Sequence, residues 1–275
     1  MSYDVLVIGG GPAGMSAALN VRARGGRVLV VSNPLEENPL WRSKLVDNHL
    51  GMPGLSGKEM LTQFRRHAEA AGAEFREGKV LSTVQAGDDW YVSIGSDMEH
   101  AKALVLAAGV ARGKKFPGEA ELLGRGVSYC ATCDGMLYRG KPVAVVGYTD
   151  TARQEAEFLQ KIGCSVTYFD RPKQCEIRGD GRVESVTCDG RTIPAEGVFI
   201  LRPTMAPTEL FPGLAVEQGY VTVDRRMATS LPGLFAAGDC TGGPLQVSKA
   251  VGEGLIAGQS AAAWAAARER EEKQK

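Results

Sequence analysis

The sequence predicts an α/β protein made of two Rossmann-like domains, each a parallel sheet in a three-layer ββα arrangement, with the central domain truncated. Three observations carry that prediction. Two stretches run strand, glycine turn, helix, strand, one opening at Gly9 and the other at Gly147. The second of them is not followed by the further helix and strand that would complete it. Composition agrees: 44% apolar residues and 35 glycines in 275 suit a globular chain with many tight turns.

In chain order, Val5–Ile8 and Val28–Val31 are apolar strands, with helix-forming residues at Ala13–Arg24 between them. Residues 33–39 hold two prolines and read as a loop. A helix follows over 57–72, where Leu61, Phe64 and Ala68 fall at helical spacing. Short strands are expected at 74–76, 80–84, 90–94 and 103–106. The second unit comprises a strand at 142–147, a helix at 151–162 and a strand at 166–169. Hairpin-like segments follow at 183–188 and 197–201. A strand pair at 214–216 and 220–223, the loop 238–244 and an Ala-rich helix complete the chain, and the polar tail 268–275 is expected to fray. No repeat of solenoid length is present. The domains expected are 1–112 with 205–275, and 113–204.

The 32 basic and 32 acidic side chains cancel, which argues against a global pull toward nucleic acid or anionic lipid. No apolar run approaches the roughly 20 residues of a membrane span. A strand-like Tyr3–Ile8 stands where a leader would carry its charged and apolar regions, so a cytoplasmic protein is expected. Six cysteines in that reducing compartment would not be structural staples.

Gly9-Gly10-Gly11-Pro12-Ala13-Gly14 satisfies G-x-G-x-x-G between a strand and a helix. Gly9 suits the tight turn, Gly11 admits a pyrophosphate to the backbone, and Gly14 lets helix and strand pack closely. The acidic residue usual at the end of the second strand is replaced by Ser32. Residues 103–109 form an apolar strand ending in Ala107-Ala108-Gly109, small enough for a cofactor to approach. Residues 234–239 form a buried strand ending in Gly238-Asp239, where a ribityl or phosphate-linked group could be held. Together the three segments resemble the two-part FAD site of two-dinucleotide-fold flavoproteins.

Cys130-Ala-Thr-Cys133-Asp134 has the spacing of a reversible disulfide within one turn. Zinc would need four ligands, and neither a second Cys-x-x-Cys nor a paired histidine motif exists, so no metal is expected. Two buried thiols paired by chance are the plain alternative. Asp134 could exchange protons with a neighbouring thiolate, cap a helix, or do both.

These pieces stand in the order found in low-molecular-weight thioredoxin reductases. They are Gly9–Gly14, the segment Val46-Asp47-Asn48-His49-Leu50-Gly51 with Gly54 and Gly57, Cys130–Asp134, Ala236–Asp239 and Gln246. The resemblance implies an FAD/NAD(P)-binding fold and a homodimer, with Asn48 and Gln246 against FAD. Cys133 would face the flavin and form the charge-transfer thiolate. Cys130 would attack thioredoxin's disulfide, with Asp134 as general acid–base. Pro12, Ala13, Val80 and Val247 complete the expected cofactor-binding set.

The pattern breaks where the family binds NADPH. At Gly147-Tyr148-Thr149-Asp150-Thr151-Ala152, Thr149 stands where a glycine would admit the pyrophosphate. Asp170-Arg171-Pro172-Lys173 puts an acid first where cations should hold a 2′-phosphate. The truncated central domain, Val146-Gly147-Tyr148 and Gly238-Asp239-Cys240-Thr241-Gly242 instead resemble the ferredoxin-dependent flavin thioredoxin reductases. That branch implies reduced ferredoxin as the donor, for which Lys114, Lys115, Arg125, Arg139 and Lys141 are a candidate basic surface. Two alternatives stay open: an NAD(P)H-dependent enzyme whose Asp170 holds a ribose hydroxyl, and a flavin-binding redox sensor without turnover. Tyr148, Trp41 and Trp264 could cover a flavin, fill a dimer contact or pack in the core.

Overall fold

The computed structural model describes residues 2–110, 115–129, 131–149, 151–202 and 206–274, with side chains for all of these except Cys133 and residues 272–274. The elements run β1 (Tyr3–Ile8), α1 (Pro12–Ala23), β2 (Val28–Ser32), α2 (Gly57–Ala70), β3 (Glu74–Glu77), β4 (Val80–Ala86), β5 (Asp89–Ile94) and β6 (Asp97–Leu106). They continue with β7 (Val127–Ser128), α3 (Ala131–Asp134), β8 (Pro142–Gly147), α4 (Ala152–Lys161), β9 (Ser165–Asp170), β10 (Cys175–Arg178), β11 (Ser185–Cys188), β12 (Arg191–Pro194) and β13 (Gly197–Leu201). The last elements are α5 (Pro207–Leu210), β14 (Val216–Glu217), β15 (Tyr220–Val221), β16 (Leu234–Ala236) and α6 (Val247–Gln274). Two compact units result, Met1–Ala111 with Thr204–Lys275, and Arg112–Pro203.

In the larger unit the sheet order is β3-β2-β1-β6-β5-β4, with β16 also on β6. Strands β3, β2, β1, β6 and β16 are parallel, whereas β4, β5 and the first half of β6 form an antiparallel meander. The period-2 alternation of strand side chains explains the layering. Val5, Val7, Val28, Val30 and Val105 face α1, α2 and α6, while Leu6, Ile8, Leu29, Val31 and Leu104 face the layer that holds Trp90 and Val92. Helix α1 lies tight on α6: a Cβ at Gly254 would strike the Ala13 carbonyl, and one at Gly258 the Ala17 carbonyl. The N-terminus of α2 is fixed by a capping box, in which Ser56 N–H donates to Glu59 Oε2 at 2.8 Å and Glu59 N–H to Ser56 Oγ.

Four local expectations need correction. The proline loop 33–39 contains 3₁₀ turns at Leu35–Glu37 and Pro39–Arg42, because Pro39 sits at a first helical position, where its missing N–H costs nothing. Residues 268–274 do not fray but continue α6, with Arg268 paired to Asp88 and Glu271. The pair expected at 214–216 and 220–223 shrinks to β14 and β15. Gly197–Leu201 is no hairpin arm: it is fully buried and lies between β7 and β8 in the smaller unit's parallel sheet, β7-β13-β8-β9.

In that smaller unit the meander β10-β11-β12 stands in place of a second helix and strand, closing one face of the sheet. The meander corrects the reading of the cysteines as unstapled thiols: Cys175 and Cys188 are directly opposite on β10 and β11 and form a disulfide. The register follows from Asp189, whose carboxylate accepts the Lys173 and Gln174 amides and so fixes Cys175 against Cys188. Both cysteines are buried, at 5% and 1% exposure. A bridge over a separation of 13 residues stabilises a chain by about 3 kcal/mol through its effect on the unfolded state. The double replacement Cys175→Ala/Cys188→Ala is therefore expected to lower stability by about that amount in urea. A midpoint equal to that of the oxidised wild type would contradict it.

Candidate active site

The C-terminal ends of β1, β2, β6 and β16 lie at one edge of the larger unit's sheet, since all four are parallel. Chain direction changes there: β2 lies on one side of β1 and β6 on the other, which makes the edge between them a ligand crevice. Gly9 turns the chain at φ +112°, with the Ala107 carbonyl against its α-carbon. A Cβ at Gly14 would strike the Gly9 carbonyl, so helix and strand meet there without a side chain between them. At Gly11 a side chain would meet only Asn38 Nδ2, at 3.1 Å, and the turn is open to a ligand. Pro12 and Ala13 begin α1, and the Ser32 hydroxyl stands beside Gly10. Ala108 and Gly109 follow β6, and Gly238 follows β16 with Ala13 packed on it. Val80 begins β4, buried, and Gly78 just before it donates to the Ser32 carbonyl.

Side chains from distant positions complete this edge. Asn48 Nδ2 donates to Gln246 Oε1 at 2.7 Å, and His49 Nδ1 lies 3.1 Å from Ser248 Oγ, which ties the loop after Val46 to the start of α6 at Val247. The loop that presents Asp239 is held by an ion pair that no local sequence signal marks. Lys249 Nζ donates to the Gly238 carbonyl at 2.8 Å, Thr241 Oγ1 at 2.9 Å and the Gly242 carbonyl at 2.6 Å, and lies 3.1 Å from Glu253. Glu253 in turn accepts the Gly238 amide and the Thr241 hydroxyl. An adenine dinucleotide fits these residues: glycine amides for the pyrophosphate, and Asp239 for a polyol chain.

The redox turn belongs to the smaller unit. Cys130 and the side chain of Cys133 lie outside the described residues, and the geometry is that of their neighbours. Ser128, 4% exposed at the end of β7, donates its hydroxyl to Asp134 Oδ2 at 2.6 Å. Asp134 precedes the turn 135–138 and makes no side-chain capping bond to it. Burial, and secondly the charge of Asp134, raises the Tyr138 phenol above its ordinary value. The other cysteines are unsuited to nucleophilic work. Burial pushes the Cys240 thiol up to about 12 and raises that of Cys164, while Cys175 and Cys188 are bonded to each other.

The second glycine turn is closed. Its crevice should open between the C-terminal ends of β8 and β13, where strand order reverses. Tyr148 and Arg202, the next residues after those strands, occupy it. Tyr148 N–H donates to the Leu201 carbonyl, and its hydroxyl to the Pro172 carbonyl at 2.6 Å. Arg202 makes a bidentate pair with Glu119 at 2.5 and 2.9 Å and lies over the rings of Phe116 and Tyr148, 4.9 and 5.9 Å from their centroids. Glu119 is fully buried and also accepts the Phe116 amide and the Tyr129 hydroxyl. The Tyr168 hydroxyl covers Gly147, and Asp170 is paired with Arg153 at 2.9 Å. Tyr148, Trp41 and Trp264 thus pack against hydrophobic cores. Among the described residues no cluster of three His, Cys, Asp or Glu could hold a metal, and no helix is long and apolar enough to cross a membrane.

Two dinucleotide-type units, one open at its glycine turn and one carrying a Cys-x-x-Cys, define a flavoprotein disulfide oxidoreductase. The chain belongs to the pyridine nucleotide-disulphide oxidoreductase family, whose model matches residues 3–176 and 171–254, and FAD is the cofactor of this class. It is 33% identical to the thioredoxin reductase of Listeria innocua, across 94% of this chain and 92% of that one, and 32% identical to that of Bacillus subtilis, across 94% and 93%. Among solved structures, a ferredoxin-flavin thioredoxin reductase from Clostridium acetobutylicum superposes with TM-score 0.93 at 35% identity, over 98% of this chain and 99% of that one. A thioredoxin reductase from Gloeobacter violaceus gives 0.85 at 30%, over 98% and 95%. The chain is an oxidoreductase acting on a sulfur group, of thioredoxin reductase type.

Two outcomes follow from the ion pairs. Lys249→Met should weaken FAD binding at least tenfold, about 1.4 kcal/mol, in a fluorescence titration of the apoprotein; unchanged affinity would refute the role of the clamp. Burial alone would raise the Glu119 carboxyl, but the Arg202, Phe116 and Tyr129 hydrogen bonds outweigh it and hold it below its ordinary 4.5. The stability this contributes is present above that value and lost as pH falls through the lower folded-state one. Glu119→Gln leaves the half-buried Arg202 without its counter-charge and should cost about 3 kcal/mol at neutral pH, read by urea denaturation. It should also flatten the acid limb of stability against pH; a variant as stable as wild type, with the same limb, would contradict this.

Proposed function

We propose that this chain is a thioredoxin reductase supplied by reduced ferredoxin, passing electrons through FAD to the Cys130–Cys133 disulfide and on to thioredoxin. The observation that supports the reading is the set of side chains held at the second glycine turn, where Tyr148 is bonded to Pro172, Arg202 to Glu119, and the Tyr168 hydroxyl lies against Gly147, the groups a dinucleotide would have to displace there. Residues 1–112 with 205–275 then form the FAD domain, and residues 113–204 the domain that meets thioredoxin. A cytoplasmic homodimer matches the family resemblance.

FAD supplies the conversion from one-electron delivery to transfer of an electron pair. The rest is thiol chemistry on this chain. With the pair reduced, the Cys130 thiolate attacks a sulfur of the thioredoxin disulfide, forming a mixed disulfide and releasing one thioredoxin thiolate. The Cys133 thiolate then attacks the Cys130 sulfur, which reforms the internal disulfide and expels the second thiolate. Asp134, oriented by Ser128, gives and retrieves the proton that keeps the leaving sulfur neutral. For the donor, Lys115, Arg125, Arg139 and Lys141 supply basic surface on the smaller unit, although Lys141 is partly spent on Glu196 at 3.6 Å. Lys114 lies outside the described residues.

The test is anaerobic titration of the yellow holoenzyme. Reduced ferredoxin should bleach the flavin and support thioredoxin reduction, whereas NADPH and NADH should leave the spectrum unchanged. Rapid bleaching by NADPH would overturn the donor assignment and favour the pyridine-nucleotide alternative. Bleaching by ferredoxin without reduction of any thioredoxin would favour a redox sensor.

A further inference from the structure

Asn38 reaches the first glycine turn from outside the glycine motif. At Gly11 the backbone must let a pyrophosphate approach, and the atom beside the space a side chain would fill is Asn38 Nδ2, at 3.1 Å. Asn38 caps the 3₁₀ turn Pro39–Arg42, and its Oδ1 accepts the Leu40 amide at 3.0 Å. That bond decides which way the side-chain amide points, since an N–H can only be accepted by the oxygen. The nitrogen is therefore the end that faces Gly11. Among the described residues this Nδ2 group has no hydrogen-bond partner. The backbone that carries it is held on both sides: Asn38 N–H donates to the Leu35 carbonyl at 3.0 Å, and the Asn38 carbonyl accepts the Trp41 N–H at 3.0 Å. Leu40 is fixed in turn by α2, where Gly57 lies so close to the Leu40 carbonyl that any side chain would collide with it.

We infer that Asn38 is a binding residue for the FAD pyrophosphate, donating from Nδ2 to a phosphate oxygen seated at Gly11. The inference rests on FAD at the first glycine turn and is independent of which donor reduces it. An uncharged donor meets a need there. The charged side chains on segment 33–40 are the acids Glu36 and Glu37, so no cation of this loop serves the phosphates. Nor does the first turn of α1 bring one, since it opens Pro12-Ala13-Gly14-Met15. A neutral N–H bonded to an ionised oxygen gives a hydrogen bond about twice as strong as one between neutral groups. The 3₁₀ turns that replace the expected loop at 33–39 thereby acquire a task, which is to hold one donor at a fixed place over the glycine motif.

Asn38→Asp is the decisive variant, because aspartate still caps the turn through the same oxygen and exchanges only the donor for a negatively charged acceptor. The measurements are calorimetric titration of the apoprotein with FAD and with ADP, and urea denaturation of the apoprotein. Both ligands carry a pyrophosphate. Asn38→Ser keeps a cap but is too short to reach Gly11, and should bind each about tenfold more weakly. Asn38→Asp should bind each more weakly still, and the urea midpoints should stay at the wild-type value. Wild-type affinity in Asn38→Asp would overturn the inference, as would an affinity loss matched by a fall in the urea midpoint. A loss for FAD with none for ADP would place Asn38 at another part of the cofactor and overturn it equally. If the wild-type apoprotein took up no FAD, the cofactor reading itself would fail before any variant was compared.

Discussion

A carboxylate with no exposed surface can stay ionised only if its desolvation is offset by charge and hydrogen bonds. Glu119 meets that condition with four donors, two of them from Arg202, and each comes from a different part of the smaller unit. Phe116 and Glu119 precede β7, Tyr129 follows it, and Arg202 follows β13. The network therefore fixes the ends of two strands at once. Tyr129 is also the residue before Cys130, so the segment that enters the redox turn is anchored by the charge that closes the nucleotide crevice. Replacing this arrangement by an open crevice would need more than a glycine at Thr149. It would require withdrawing Arg202 from Glu119, a change that leaves the fully buried Glu119 carboxylate without its counter-charge.

The two glycine turns show one backbone plan put to opposite uses. At the first, Gly9 and Gly14 allow strand, turn and helix to approach with nothing between them, and Gly11 has only the Asn38 side-chain amide near it. At the second, Gly147 is covered by the Tyr168 hydroxyl and the Ala152 methyl group. Arg153 stacks on Tyr168 and pairs with Asp170, so the acid that could have held a ribose is engaged locally. That pair is exposed and worth little in stability. Its effect is geometric, because it holds Tyr168 over the turn.

Much of this was legible in the sequence because the signals are local. Apolar runs of four to six residues located β1, β2 and β8, and the G-x-G-x-x-G context located the first glycine turn. Gly197–Leu201 was misassigned because an apolar run looks alike in a hairpin and in a covered parallel strand, and only its partners decide. The Cys175–Cys188 bridge has no recognisable spacing. Its register is set by the Asp189 carboxylate on two amides some fifteen residues away in sequence. Glu119 with Arg202 and Lys249 with the Gly238 carbonyl were likewise invisible: a lone charged residue reads as a solvated surface group until the fold buries it. Asp134 stands out in the sequence by its place beside the cysteine, whereas Ser128, which hydrogen-bonds to it, has nothing to mark it.

The polar groups around the redox turn share a single electrostatic logic. In the proposed path Asp134 exchanges a proton with sulfur, and the Ser128 hydroxyl orients its carboxylate for that task. A serine hydroxyl, unlike a lysine or arginine, donates one hydrogen bond and brings no charge. Glu155 meets the same turn from α4 through the Ala131 amide.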